Sequence, residues 1–585
     1  MFMSTKQFFS LPELMALLAP YLSLHDVSQL RQTNYLLYET YTPQLYRFLP
    51  LLEEDRFVQL WHNSKNARAL VQNAYHVRQL EAKAAFLGVL YPRNRDEANG
   101  SDCSTSQPET KLPTIQFVRL TRLHCSMDYE RTYPRSYLTQ AHLPPLWLAA
   151  ANPALTHLCI SGLNLMDDDT ILRDLRRTLG QLSRLTHLRL TTGRQHDRTT
   201  LRTFFSVFCS LPPAIECLQF KYSMVRMEGM EAAWTLRQGP LENLKELHMP
   251  TFHPGYGAQL ICAVLEICPA LERWDVPHLS AAGIDTVAST LQRCCPLLRH
   301  LSVHDSWAQE NIVMIMDTMR QQYLRTCSIK DYFEGPDNRM TVALQKHSTA
   351  LTRIRFSGTQ VFRSDSIHAI LSTCDALEHL VITGLHPWKV AISLEDAMTS
   401  HWVCERIQHL SIAVKMGHTR KDDEYVRGGT GDLLEEEQYW KGVEAFYTKI
   451  GCLTNLRVLD LKLGINVEGD YGTVQRWAYR YQDVSLPRLL ALEDLKEGKR
   501  GYMSCLAGLK ELRELRGSVY ANTIEAKAAL GQREMEWIVQ HWPKIELVEF
   551  MSPGHEKNAD QEIPEHLEWL QQQRPRMRLS LPKVQ

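Results

Sequence analysis

The feature that most constrains this chain is a six-residue pattern with apolar residues at positions one, four and six, which returns about a dozen times. In LEHLVI these are Leu377, Leu380 and Ile382; in LRHLSV, Leu298, Leu301 and Val303; in LTHLRL, Leu185, Leu188 and Leu190. The last two positions are two residues apart, the period of a short strand with both side chains on one face. A strand this short cannot bury that face alone, so an adjoining copy has to cover it. The chain is thereby held to a stack of repeats, each contributing one strand.

The spacing says what lies between the strands. Copies start at Leu155, Leu185, Ile215, Leu244, Leu271, Leu298, Leu324, Leu351, Leu377 and Ile407, at intervals of 30, 30, 29, 27, 27, 26, 27, 26 and 30 residues. Repeats of this length carry a helix opposite the strand. Ser280 to Cys294 fits, with Ile284, Val287, Ala288 and Leu291 on one helical face, and Cys295-Pro296 ending it. The expected fold is an α/β leucine-rich-repeat solenoid over residues 51–585, with a curved parallel sheet inside and helices outside. Earlier copies are read at Val77, Leu80 and Ala82 and at Leu120, after a helix over Asn66 to Ala74. Later ones are read at Leu456, at Leu512 and Leu515, and at Ile545, Val548 and Phe550, before a closing helix over Pro564 to Gln573. Residues 91–113 are polar and aperiodic and read as a disordered insertion; 415–440 and 464–503 read as long insertions.

Composition narrows the function classes. A chain of 585 residues exceeds one compact core, whereas a solenoid grows by adding repeats. With 44% hydrophobic and 22% charged residues it reads as a folded soluble protein. A net charge of −1 gives no global attraction to nucleic acid or acidic membrane, so any charge preference must be local. The 14 cysteines form no CxxC pair and read as reduced thiols of a cytoplasmic or nuclear protein. No apolar run approaches the length of a membrane span, and Glu13 interrupts the signal-like stretch around Leu14 to Leu22.

Residues 8–49 read as three short helices. Pro12 suits a first helical turn, Leu14, Leu17, Leu18 and Leu22 recur at helical spacing, and Asp26 is placed to cap a second helix. Pro43 opens a third segment with Leu45 and Phe48. Three such helices carry more apolar surface than they can bury among themselves. The run Leu11-Pro12-Glu13-Leu14, then Tyr21-Leu22, Asp26-Val27 and Leu30, resembles an F-box. It departs from that family at Thr33-Asn34-Tyr35-Leu36, where Cys-Arg-x-Trp is usual, and Tyr35 and Tyr46 stand where aromatic bulk is wanted. The resemblance implies a small helical domain over residues 1–50 whose Leu11, Pro12, Leu14, Leu17, Leu22, Asp26, Val27, Leu30 and Tyr35 bind a Skp-type adaptor. It implies further that the chain joins a cullin (SCF) ubiquitin ligase as a substrate receptor, like fungal F-box and leucine-rich-repeat proteins. The alternative is an N-terminal cap on the solenoid, and with it a repeat scaffold without a ubiquitin link.

No acid–base or nucleophile arrangement stands out, so the chain does not read as an enzyme. Only charge and aromatics (Trp440, Tyr447, Trp477) mark the late insertions. No cofactor is expected. His157, His187, His300, His379 and His409 hold one repeat position, and His157 and His187 should be neighbours about 4.8 Å apart. Two histidines lack the third and fourth ligands of a metal site. The positions alternating with the core leucines should face a partner. They include His187, Arg189, Lys221, Arg273, His300, Lys330, Arg353, Arg355, His379 and His409, with Glu246 and Asp275 as the acidic members. That excess of cations suits an acidic or phosphorylated protein segment, with Arg353 and Arg355 central.

Overall fold

In most copies the leading apolar residue closes a turn. Its N–H donates to the carbonyl three residues back: Leu155 to Asn152 at 3.0 Å, Leu185 to Leu182 at 3.0 Å, Leu377 to Cys374 at 3.3 Å and Leu456 to Leu453 at 2.9 Å. The same turn joins Val77 to Ala74 and Leu512 to Leu509. It ends the preceding helix and delivers the chain into the strand, which is why an apolar residue stands there and is fully buried.

In the computed structural model the described residues are 46–49, 64–83, 117–127, 143–163, 169–191, 198–221, 224–226, 239–250, 257–276, 283–303, 309–330, 338–359, 361–384, 387–399, 401–415, 433–464, 491–494, 501–517, 531–549 and 565–580, with isolated positions such as Thr42 and Leu87. The adaptor-binding expectations at Leu11, Pro12, Leu14, Leu17, Leu22, Asp26, Val27, Leu30 and Tyr35 lie outside them, as does the 91–113 insertion. The chain forms two compact units, residues 1–272 and 273–585.

Both units are leucine-rich-repeat solenoids. In the first, β1 (Phe48–Leu49), β2 (Gln79–Lys83), β3 (Arg122–Ser126), β4 (His157–Ser161) and β5 (His187–Thr191) pair in parallel and in sequence. A side pair, β6 (Arg198–Thr200) with β8 (Met224–Arg226), branches off, while the main sheet continues through β7 (Cys217–Lys221) to β9 (Glu246–His248). In the second unit β10 (Arg273–Val276), β11 (His300–Val303), β12 (Thr326–Lys330), β13 (Arg353–Thr359) and β14 (His379–Gly384) follow one another. Strand β15 (Ala391–Ser393) and β14 share β16 (His409–Lys415), which leads to β17 (Val458–Gly464), β18 (Glu514–Gly517), β19 (Leu547–Glu549) and β20 (Arg578–Ser580). Helices such as Asp169–Gln181, Ile284–Cys294 and Ser364–Thr373 occupy the connections.

Burial follows the pattern residue by residue. Leu158, Ile160, Leu188, Leu190, Leu301, Val303, Ile354, Phe356, Leu380 and Ile382 are no more than 1% exposed. The residues between them are partly or wholly exposed on the open face of the sheet. Gly517 ends β18 at φ +106°, and a Cβ there would be driven into the Leu461 carbonyl of the paired strand, so glycine is required.

Three expectations need correction. Phe48, placed on a third helical segment, instead pairs with Gln79 as strand, because a free edge of β2 is available to it. Residues 433–440, read as the end of a long insertion, start the helix Leu433–Gly451, whose Val443, Phe446, Tyr447 and Ile450 are buried. The end of the 464–503 insertion is packed: Ala491, Leu492, Tyr502 and Met503 are buried, and the Tyr502 ring stacks 5.8 Å from Tyr447 and 6.2 Å from Trp440. Glu534, only 5% exposed, holds this strap by accepting from the N–H of Leu492 at 3.3 Å and of Gly531 at 2.9 Å.

Leu380→Ala should cost about 2–5 kcal/mol of stability by opening a cavity, whereas Val381→Ala, on the open face, should cost less than about 1 kcal/mol. Chemical denaturation of the two variants checks the inward and outward assignment, and equal losses would refute it.

Candidate functional site

The open face is built from two main rows of side chains, set by strand register, with Lys221 and Lys330 two residues beyond the second row. In the first unit one row runs Gln79, Arg122, His157, His187, Cys217 and Glu246, and the other Glu81, His124, Cys159, Arg189, Gln219 and His248. In the second unit the rows run Arg273, His300, Thr326, Arg353, His379, His409, Val458 and Glu514, and Asp275, Ser302, Ser328, Arg355, Val381, Ser411, Asp460 and Arg516. Register thus places His187, Arg189 and Lys221 on the first unit's face. Arg273, His300, Lys330, Arg353, Arg355, His379 and His409 fall on the second's.

His157 and His187 stack, with ring centroids 4.1 Å apart and planes inclined by 7°. The neighbouring threonines set their tautomer. Thr156 Oγ donates to Thr121 O at 3.0 Å and Thr186 Oγ to Thr156 O at 3.0 Å, which uses each hydroxyl proton. The imidazole Nδ1 atoms, 2.9 Å from those hydroxyls, must then be the donors. Burial, with His187 and Arg122 nearby, lowers the His157 pKa to about 4. His157 is therefore neutral at pH 7, and among the described residues no group of three His, Cys, Asp or Glu converges on a metal.

Charge on the face is partly compensated within it. Glu246 accepts from Gln219 at 3.1 Å and lies 2.7 Å from His248 Nε2. Asp460 accepts from Ser411 at 2.7 Å and lies 3.8 Å from Lys462, and Glu514 pairs with Arg516 at 2.5 Å. Asp275 is buried at 6% exposure. Arg353 and Arg355 are different: both are exposed, and neither side chain makes a hydrogen bond or ion pair among the described residues. The nearby histidines stay neutral. Burial lowers His379, helped by Arg353 and His409, and burial lowers His409, whose ring centroid lies 6.0 Å from that of His379.

Residues outside the ten regular copies complete the face. Arg122 and His124 on β3 and Asp460, Glu514 and Arg516 on β17 and β18 belong to it. LTRLHC, LRVLDL and LRELRG carry the signal for them, but irregular spacing sets these copies apart from the regular series. The buried cysteines belong to the core: burial pushes the Cys295, Cys327 and Cys404 thiols up to about 12 and Cys374 to about 11. They are poor nucleophiles there.

No protein-family model matches the chain, and no curated protein matches its sequence. Among solved structures, one similar chain comes from the crystal structure of the Rad7 and Elc1 complex in yeast, with 11% identity, covering 77% of this chain and 96% of that one, at a TM-score of 0.37. Another is the leucine-rich repeat-containing protein LegL7 from Legionella pneumophila, with 10% identity, covering 62% of this chain and 91% of that one, at a TM-score of 0.26.

His76, His157, His347, His368, His379, His409 and His566 are all lowered, with burial the largest cause in each. The folded chain therefore binds fewer protons than the unfolded one below the ordinary histidine value of about 6.5, and their contribution to stability is lost as pH falls from there. The denaturation midpoint should drop from pH 7 to pH 5, and His157→Gln should flatten that drop. An unchanged slope in the variant would exclude the stacked pair as a contributor.

Proposed function

We propose that the chain is the substrate-recognition subunit of a cullin-type (SCF) ubiquitin ligase. The segment around Leu11-Pro12-Glu13-Leu14, Leu22, Asp26-Val27 and Leu30 docks a Skp-type adaptor, with Tyr35 as its aromatic anchor. The open face of the solenoid holds a segment of a target protein. The chain itself is non-catalytic: it raises the concentration of the target beside a ubiquitin-transferring partner, where the chemistry occurs.

The observation that carries this reading is a division of labour within one six-residue pattern. Buried leucines make the stack, which leaves most of the alternating positions, among them His187, Arg189, His379 and His409, outside the apolar core. On the second unit's face the acidic groups of Asp460 and Glu514 are matched internally, whereas Arg353 and Arg355 present uncompensated charge. That bias favours an anionic target segment.

Co-purification of the full chain with a Skp-type adaptor is expected, with loss of the adaptor on deletion of residues 11–49. Equal adaptor recovery with and without those residues would defeat the adaptor-docking role, and no recovery with either would leave a repeat scaffold.

A further inference from the structure

We infer that Arg353 and Arg355 form a phosphate subsite for a phosphoserine or phosphothreonine of the bound segment, an inference that rests on the proposed partner-binding role of the open face. The two arginines alternate with Ile354 and Phe356, which are fully buried, so both guanidinium stems rise from a fixed strand on the same face. Their Cα atoms are about 7 Å apart, two residues along a strand. Both side chains can therefore reach one tetrahedral group between them.

The surroundings select phosphate over carboxylate. Register places Thr326 and Ser328 beside Arg353 and Arg355 on one flank and His379 and Val381 on the other. Lys330 lies two residues beyond Ser328 on the same face. None of the open-face positions of β12, β13 and β14 carries a carboxylate. The carboxylate that acts on His379 belongs to Glu378, just before its strand. Ser328, whose hydroxyl makes no hydrogen bond among the described residues, offers a donor next to Arg355. One carboxylate is saturated by one bidentate guanidinium and would leave the second arginine without a partner. A phosphomonoester carries about −1.5 to −2 charges on three oxygens and can engage both arginines and the hydroxyl at once.

The flanking strands define what lies next to the phosphate. Toward β16 the rows pass through His379 and His409, and Val381 and Ser411, a neutral and partly apolar stretch that ends at Asp460 on β17. A segment running that way should carry uncharged residues after its phosphate.

The test uses the full chain and three immobilised pools of random peptides, with a central phosphoserine, serine or glutamate. The phosphoserine pool should retain the protein at least tenfold better than the other two, and inorganic phosphate should displace it. Arg353→Ala and Arg355→Ala should each reduce retention about tenfold or more, as expected for loss of a charge-assisted hydrogen-bonded pair. Arg189→Ala, on the other unit's face, should leave it unchanged. Because both arginines are exposed, the variants should melt with wild-type midpoints. Equal retention on glutamate and phosphoserine would overturn the phosphate assignment, as would no retention on any pool or full retention by the double variant. Single-stranded DNA competing as well as the phosphopeptides would overturn it in favour of a nucleic-acid face. Each of these failures leaves adaptor co-purification, and the receptor role it reports, untouched.

Discussion

Everything in this molecule depends on one requirement: the apolar face of each short strand is buried by the neighbouring copy. A pair such as Leu380 and Ile382 buries too little surface to order a strand by itself. Stacked between the β13 and β16 repeats, both fall to 1% exposure or less. Stability is then a sum of neighbour contacts. The turn hydrogen bond from the leading residue of most copies, found from Val77 to Ile545, keeps those contacts in register.

That requirement also creates the open face. Because a strand's side chains alternate, fixing every second residue inward obliges the others outward, at spacings set by the sheet and not by their own chemistry. The stacking of His157 on His187 at 4.1 Å follows from register. So does the juxtaposition of Arg353 and Arg355 with Thr326, Ser328 and His379. A rigid apolar layer beneath them means that the guanidinium groups meet a partner without first ordering the backbone, which lowers the entropic cost of binding.

Much of this was legible in the residues, for a physical reason. Periods of 2 and 3.6 mark strand and helix locally, so the regular copies, the helix Ile284–Cys294 and the open-face positions could be read without a structure. The late insertions could not, because their order comes from distant partners. The strap at Leu492 is held by Glu534, 42 residues away, and Tyr502 by a stack on Tyr447 and Trp440. Charge was half legible: the arginines stand out in sequence, but pairing of Glu514 with Arg516 and of Asp460 with Ser411 and Lys462 depends on rotamers and register. It is this pairing that singles out Arg353 and Arg355.

The central claim is that partners are read on the open face and not on the helical side. Site-directed photo-crosslinking of the full chain bound to its target protein tests it most directly, with the reactive side chain placed at Val381 on the open face or at Val342, 52% exposed on the helix Arg339–Gln345. The account predicts target adducts from position 381 and none from 342. Adducts from 342 with none from 381 would contradict it.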